Sequence, residues 1–200
     1  MRIKENCHII VDHHPYADSL KEKLRSEVEL HGNHHPNNTY YTNIVGKKLE
    51  ISPYADAPSG KISKWAESLV RECYHYPNSE KTAYETAMWF SHYDKGDYAH
   101  VHHHLPFAIF SWVYFVNCPR GSSPLRFEFS GRNVKAEEGK IVIFHSVMRH
   151  GVPKNRCNSR LTLVGNMISS RVRDPNLDNN FMPGSSSYSV RGHYTVNLPL

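Results

Sequence analysis

Fifteen histidines in 200 residues are the chemical feature that stands out, and they crowd near residues 13–14, 34–35, 100–104 and 145–150. The richest run, His100-Val-His102-His-His104, leads into an apolar segment. Along a strand alternate side chains share a face, so His100, His102 and His104 point one way and His103 the other. Imidazoles at i and i+2 can reach one metal ion, and a third ligand must come from elsewhere in the chain. His150 is the candidate, because it follows the apolar run Ile141–Phe144, a strand that can return to the same sheet. Asp94 and Asp97 precede the histidine run closely and could replace one imidazole. Neutral imidazole suits Fe, Zn, Ni and Cu alike, so spacing does not choose the metal.

A second polar feature follows His150. Arg160 opens the run Arg160-Leu-Thr-Leu-Val-Gly-Asn166, in which residues 160, 162, 164 and 166 share one strand face. A charged residue on a half-buried strand needs an anionic partner. The guanidinium fork of Arg160 matches a carboxylate, and the Thr162 hydroxyl would add a donor. The competing arrangement turns this polar face to solvent and sends Leu161 and Leu163 inward. Composition leaves both open.

These residues need elements to hold them. Cys7–Asp12 is a short apolar run that suits a strand, and Leu20, Leu24 and Val28 mark one face of a helix over Tyr16–Leu30, stopped by Gly32. Pro36, Pro53 and Pro58 make residues 34–60 mostly loop, with a short strand at Thr39–Val45. Ile62, Trp65, Leu69 and Cys73 predict a second helix over Ile62–Cys73 with Ser59 as its N-cap. Short β-rich runs follow at Thr82–Tyr93, Ala99–His104, Phe107–Asn117, Leu125–Phe129, Ile141–His145 and Arg160–Ile168, separated by turn clusters. That spacing predicts an all-β sandwich or jelly roll in the second half. The last thirty residues read as an extended tail with a possible strand at Tyr188–Leu198.

Bulk composition narrows the classes. With 39% hydrophobic and 22% charged residues the chain is neither a disordered tail nor a membrane protein. The net charge of +5 is scattered, with no basic stripe flanked by stacking aromatics, so a nucleic-acid partner is not expected. Cys7, Cys73, Cys118 and Cys157 form no CxxC pair, and the first residues lack a signal-peptide pattern. Free thiols and a cytoplasmic location are therefore expected.

Over residues 88–168 the order of motifs resembles the Fe(II)/2-oxoglutarate-dependent oxygenases, most closely their prolyl-4-hydroxylase-like branch. Tyr93-Asp-Lys-Gly96-Asp-Tyr-Ala-His-Val-His102 is similar to the family's Tyr-x-x-Gly lead-in to the first metal-binding histidine, a register that leaves His100 outside. Ser111–Asn117, Pro124–Phe127, Gly139–Phe144, His150-Gly-Val152 and Arg160-Leu-Thr162 then follow in the family's order. One departure stands out: the family's first pair is His-x-Asp or His-x-Glu, and here it is His102-His-His104.

The resemblance implies an α+β chain with a double-stranded β-helix (jelly-roll) core and N-terminal helices packed on one face. It implies a single oxygenase domain over 1–200, divided into a helical and loop part (1–80), the core (81–170) and the tail (171–200). Fe(II) would sit on His102, His104 and His150, and 2-oxoglutarate would be held by Arg160 and Thr162, with Tyr93 and Ser111 as further contacts. Asn166 and Leu125 would line the pocket. O2 would then drive hydroxylation of a C–H bond in a prolyl, other peptidyl or amino-acid substrate, with succinate and CO2 as coproducts. Two other readings compete: a three-His cupin-like dioxygenase or isomerase that uses no 2-oxoglutarate, and a non-catalytic metal-binding β-sandwich module.

Overall fold

The structure is a computed structural model, and it describes residues 9–31, 33–35, 44–45, 47–51, 56–73 and 83–170. In chain order these form β1 (Ile9–His13), α1 (Ala17–His31), β2 (Asn33–His35), β3 (Ile44–Val45), β4 (Lys47–Ile51), α2 (Pro58–Cys73), β5 (Ala83–Tyr93) and β6 (Tyr98–His102). The second half continues with β7 (Phe110–Asn117), β8 (Leu125–Phe127), β9 (Asn133–Val134), β10 (Lys140–His145), β11 (His150–Val152) and β12 (Arg160–Ser170). Cys7, the start of the expected Thr39–Val45 strand and the tail with its Tyr188–Leu198 strand lie outside the described residues.

The strands form two sheets in which every pairing is antiparallel. One has seven strands in the order β1-β10-β7-β12-β5-β4-β2, the other five in the order β3-β6-β11-β8-β9. Strand alternation explains the layering. From β7, Phe110, Trp112, Tyr114 and Val116 join Leu20 and Leu24 of α1 and Ile62, Ala66 and Leu69 of α2 in one core. The intervening Val113 and Phe115 join Leu125, Phe127 and Val152 of the smaller sheet in a second core. The result is helices over a large sheet over a small sheet, the β-sandwich arrangement expected from the second half of the sequence.

Several boundaries differ from expectation for local reasons. Helix α2 begins at Pro58, whose fixed φ suits a first helical position, so Ser59 lies inside the helix and is not its N-cap. Glu27 of α1 takes over the capping: its buried carboxylate accepts the Ser59 N–H at 2.9 Å and the Ser59 hydroxyl. An anion at a helix N-terminus is favoured by the partial positive charge there. Cys73, expected on the buried face of α2, is exposed. Strands β2, β9 and β11, of two or three residues each, are too short to show a period.

Two glycines fix how closely the site strands approach. A Cβ on Gly165 of β12 would lie 2.3 Å from the Trp112 indole, so only glycine leaves room for that ring. A Cβ on Gly151 of β11, next to His150, would lie 2.9 Å from the Ala99 carbonyl oxygen of β6. Among the described residues no helix is long and apolar enough to cross a membrane.

Candidate metal centre and anion pocket

His150 and His102 face each other across the β11–β6 pairing, so sheet register alone brings two imidazoles together. His104 completes the group, and the ligand-capable atoms of His102, His104 and His150 all lie within 4.8 Å of one another. Strand alternation does not carry His104 there, because β6 ends at His102. A turn holds it: the His104 N–H donates to the Ser146 carbonyl at 2.9 Å, and the His104 carbonyl accepts the Phe107 N–H, also at 2.9 Å. His100 is exposed, with its ring 4.9 Å from that of Tyr98, and lies outside the group whose ligand atoms converge.

The surroundings keep the His102 and His150 rings neutral. His102 Nδ1 is 2.7 Å from the carbonyl of His100, and His150 Nδ1 is 2.8 Å from that of Met148. Both carbonyls can only accept, so each Nδ1 carries the proton and each Nε2 keeps a lone pair for a metal. Burial pushes His150 down to about 3, with the neighbouring His102 adding to the effect. Burial also lowers His102. A neutral imidazole is the form that ligates.

The carboxylates are engaged elsewhere. Asp94 accepts the Ser159 N–H at 3.0 Å, and Asp97 accepts the Asp94 N–H at 2.8 Å, tying the β5–β6 turn to the approach to β12. Among the described residues no carboxylate joins the histidine group.

The polar face of β12 is turned inward. Arg160 and Thr162 are each 1% exposed, which rules out the solvent-facing arrangement. Arg160 Nε donates to the Ser123 carbonyl at 3.1 Å, and its guanidinium carbon lies 4.8 Å from the Tyr93 ring centre and 5.5 Å from that of Phe115. Its Nη1 is buried and has no hydrogen-bond partner among the described residues. A buried, unpaired guanidinium donor is costly, and a carboxylate is the ligand that would satisfy it. The Thr162 hydroxyl donates to the Ser91 carbonyl at 3.4 Å. Leu125 is buried in the same inter-sheet core as Tyr93 and Phe115.

Further along the same face of β12, Asn166 reaches the histidines. Its amide Nδ2 is 3.3 Å from His104 Nδ1, and its Oδ1 accepts the Ser111 hydroxyl at 2.9 Å. Ser111 in turn lies 2.8 Å from the Ser146 hydroxyl. Ser111 thus belongs to the histidine end of the face and Tyr93 to the arginine end.

Three contributors escape sequence reading. Ser146 sits in the turn before β11, Ser123 offers its carbonyl to Arg160, and buried Asn155 receives the Ser123 N–H at 3.0 Å while donating to the Tyr93 carbonyl at 3.2 Å. Ser123 and Asn155 lie in Ser-, Pro- and Asn-rich stretches whose composition says only that the chain turns, and Ser146 lies in the short connection between β10 and β11.

No family model matches the chain, and no curated protein matches it. Solved structures do. A viral collagen prolyl hydroxylase from Paramecium bursaria Chlorella virus-1, determined with 2-oxoglutarate, superposes with a TM-score of 0.63 at 10% identity, over 80% of this chain and 94% of that one. A Pseudomonas putida prolyl-4-hydroxylase gives 0.57 at 21% identity, over 80% and 91%. A Trichoplax adhaerens prolyl hydroxylase bound to a peptide of the hypoxia inducible factor oxygen degradation domain gives 0.58 at 14% identity, over 79% and 82%. The chain has the fold of these prolyl hydroxylases.

Proposed function

We propose that the protein is an Fe(II)- and 2-oxoglutarate-dependent dioxygenase, a single domain built on a double-stranded β-helix, that hydroxylates a C–H bond in a prolyl or other peptidyl or amino-acid substrate. The observation that carries this reading is the buried Arg160, with an unpartnered Nη1, on the same strand face as the Asn166 that touches the histidine group. A metal centre alone would not need it.

His102, His104 and His150 would hold the iron, and Arg160 with the Thr162 hydroxyl would hold the far carboxylate of 2-oxoglutarate. When bound, iron and 2-oxoglutarate with O2 supply the oxidising power and leave succinate and CO2. The chain binds, orients and excludes water. Tyr93 and Phe115 flank the guanidinium and keep its surroundings dry, which strengthens its hold on an anion. The backbone carbonyls behind His102 and His150 fix which ring nitrogen faces the metal. Three neutral imidazoles leave the centre one negative charge short of a two-His, one-carboxylate site, so iron would be held with a more positive net charge. Leu105, Phe107 and Ile109 stand exposed just after His104, an apolar rim that suits a prolyl or apolar peptide segment.

Anaerobic titration with Fe(II) and 2-oxoglutarate, then exposure to oxygen with assay of succinate, tests the reading on wild type, His104→Ala and Arg160→Ala. Succinate from wild type, loss of iron in His104→Ala and loss of 2-oxoglutarate affinity in Arg160→Ala are expected. Tight metal binding without 2-oxoglutarate affinity would overturn the proposal and favour the cupin-like reading, which the all-imidazole donor set also fits.

A further inference from the structure

We infer that Asn166 is a positioning residue that pairs the His104 Nδ1 in either ring tautomer and holds that ring for metal binding, an inference that rests on the proposed role of His104 as a ligand. His102 and His150 have their Nδ1 partners built into the backbone, each two residues earlier in the chain. At His104 the Nδ1 instead meets a side chain, the Asn166 amide, at 3.3 Å.

That contact belongs to a closed circuit. Asn166 bonds Ser111, its cross-strand partner in the β12–β7 register; Ser111 bonds Ser146; and the Ser146 carbonyl accepts the His104 N–H. The circuit starts and ends at His104 and encloses the one ligand of the three that lies outside a strand. Ser111 and Ser146 are buried, so the polar chain exists at a desolvation cost that only full pairing offsets. Asparagine is a poor strand residue, and at this position β propensity has been given up for an amide.

The chemistry of the amide fits the task. An imidazole binds a metal through Nε2 only when Nδ1 carries the proton. An amide end carries both a donor and an acceptor, so it can serve either tautomer. In the structure Nδ2 faces His104 Nδ1 and Oδ1 faces Ser111. A half-turn of the amide presents Oδ1 to a protonated Nδ1 and Nδ2 to the Ser111 oxygen, and the Ser111 hydroxyl then donates to Ser146. Asn166 and Ser111 stay bonded to each other and His104 Nδ1 stays paired with the amide, one proton leaves Nε2 through solvent and one arrives at Nδ1, and net charge does not change. Asn166 thus lets His104 change tautomer while its Nδ1 stays paired.

The test uses Co(II) titration followed by its visible bands, and histidine-ring proton–nitrogen NMR spectra without added metal, on the full chain. Asn166→Leu keeps the size and removes both hydrogen bonds; Co(II) affinity is expected to fall about 10–100-fold, the range for loss of an outer-shell partner. Asn166→Asp keeps the acceptor, so affinity is expected to equal or exceed wild type, and the His104 ring to shift to the Nδ1–H form with no metal present. Thermal midpoints of all variants are compared so that a folding defect is seen directly.

Wild-type affinity in Asn166→Leu, or a His104 ring in Asn166→Asp that matches the one in Asn166→Leu, would overturn the inference. So would tightening that survives in the His104→Ala, Asn166→Asp double variant, because the carboxylate would then be binding the metal itself. If wild type takes up no Co(II), the metal reading of the site fails, and the ring spectra decide the Asn166 inference separately.

Discussion

Toward the helices, β12 presents Leu161, Leu163 and Met167; toward the smaller sheet the same strand presents Arg160, Thr162 and Asn166. Both faces are largely buried, yet they contribute oppositely to the free energy of folding. The first removes apolar area from water, at about 1.5–3 kcal/mol for each large side chain. The second buries a guanidinium with an unpaired nitrogen, a threonine hydroxyl on a 3.4 Å hydrogen bond and an amide tied to a histidine. The helix-covered face therefore supplies stability that the inter-sheet face spends on a preorganised polar pocket.

Substitutions on the two faces should separate stability from binding. Leu163→Ala, at a site with no exposure, is expected to lower unfolding stability by about 2–5 kcal/mol in denaturant titrations. Metal and 2-oxoglutarate affinity of the folded fraction should not change. Arg160→Met should do the reverse. Truncating one member of a buried charge pair costs roughly 2–5 kcal/mol of binding, so 2-oxoglutarate affinity should fall by about thirtyfold or more. Stability should hold or rise, since an apolar side chain relieves a buried charge. An Arg160→Met variant destabilised as strongly as Leu163→Ala, with its ligand affinity intact, would mean that Arg160 serves the fold through Ser123 and the flanking rings.

The contrast between the faces also explains what the sequence could reveal. Period two is a backbone property, so the shared face of residues 160, 162, 164 and 166 was readable, as were most of the long strands and α1. Which way that face turned was not, because Leu161 and Leu163 inward is compatible with either; helices covering one side and a second sheet the other decided it. Residue types and spacing put forward His100, His102, His104 and His150, and the register of the family resemblance chose His102 and His104 over His100, although a turn anchored on Ser146, not a strand, brings His104 into place. Glu27 capping α2 depends on two helices docking, and no pattern near Ser59 announces it. Ser123, Ser146 and Asn155 act mainly through turn backbones and short contacts across the fold, which leave no period.

Acid should expose a cost on the inter-sheet face alone. His150 has an ordinary value of 6.5 in an unfolded chain and is pushed down to about 3 by burial. As pH falls below 6.5 the unfolded chain takes up this proton and the folded one does not. The stability contribution is therefore fully present above 6.5 and is lost toward pH 3, with a slope of about 1.4 kcal/mol per pH unit for this one group. Metal-free wild type should show this limb in pH-dependent denaturant titrations, and His150→Gln should flatten it. Leu163→Ala should lower the whole curve without changing its slope. An unchanged slope in His150→Gln would place the acid sensitivity elsewhere.

Thr162→Val should give the smallest effect and the finest discrimination between the faces. Valine nearly reproduces the shape of threonine, so the substitution removes little besides the hydroxyl. In the structure that hydroxyl reaches the Ser91 carbonyl at 3.4 Å, near the outer limit of a hydrogen bond. If the group is held mainly for the ligand, stability should stay within about 1 kcal/mol, while 2-oxoglutarate affinity drops by about 0.5–1.5 kcal/mol, roughly two- to tenfold. If it works for the sheet, stability should fall and affinity should stay. Paired calorimetric binding and denaturant titrations on this one variant decide between them. Because Thr162 sits two residues from Arg160 on the same face, the answer also shows where along β12 structural duty gives way to ligand binding.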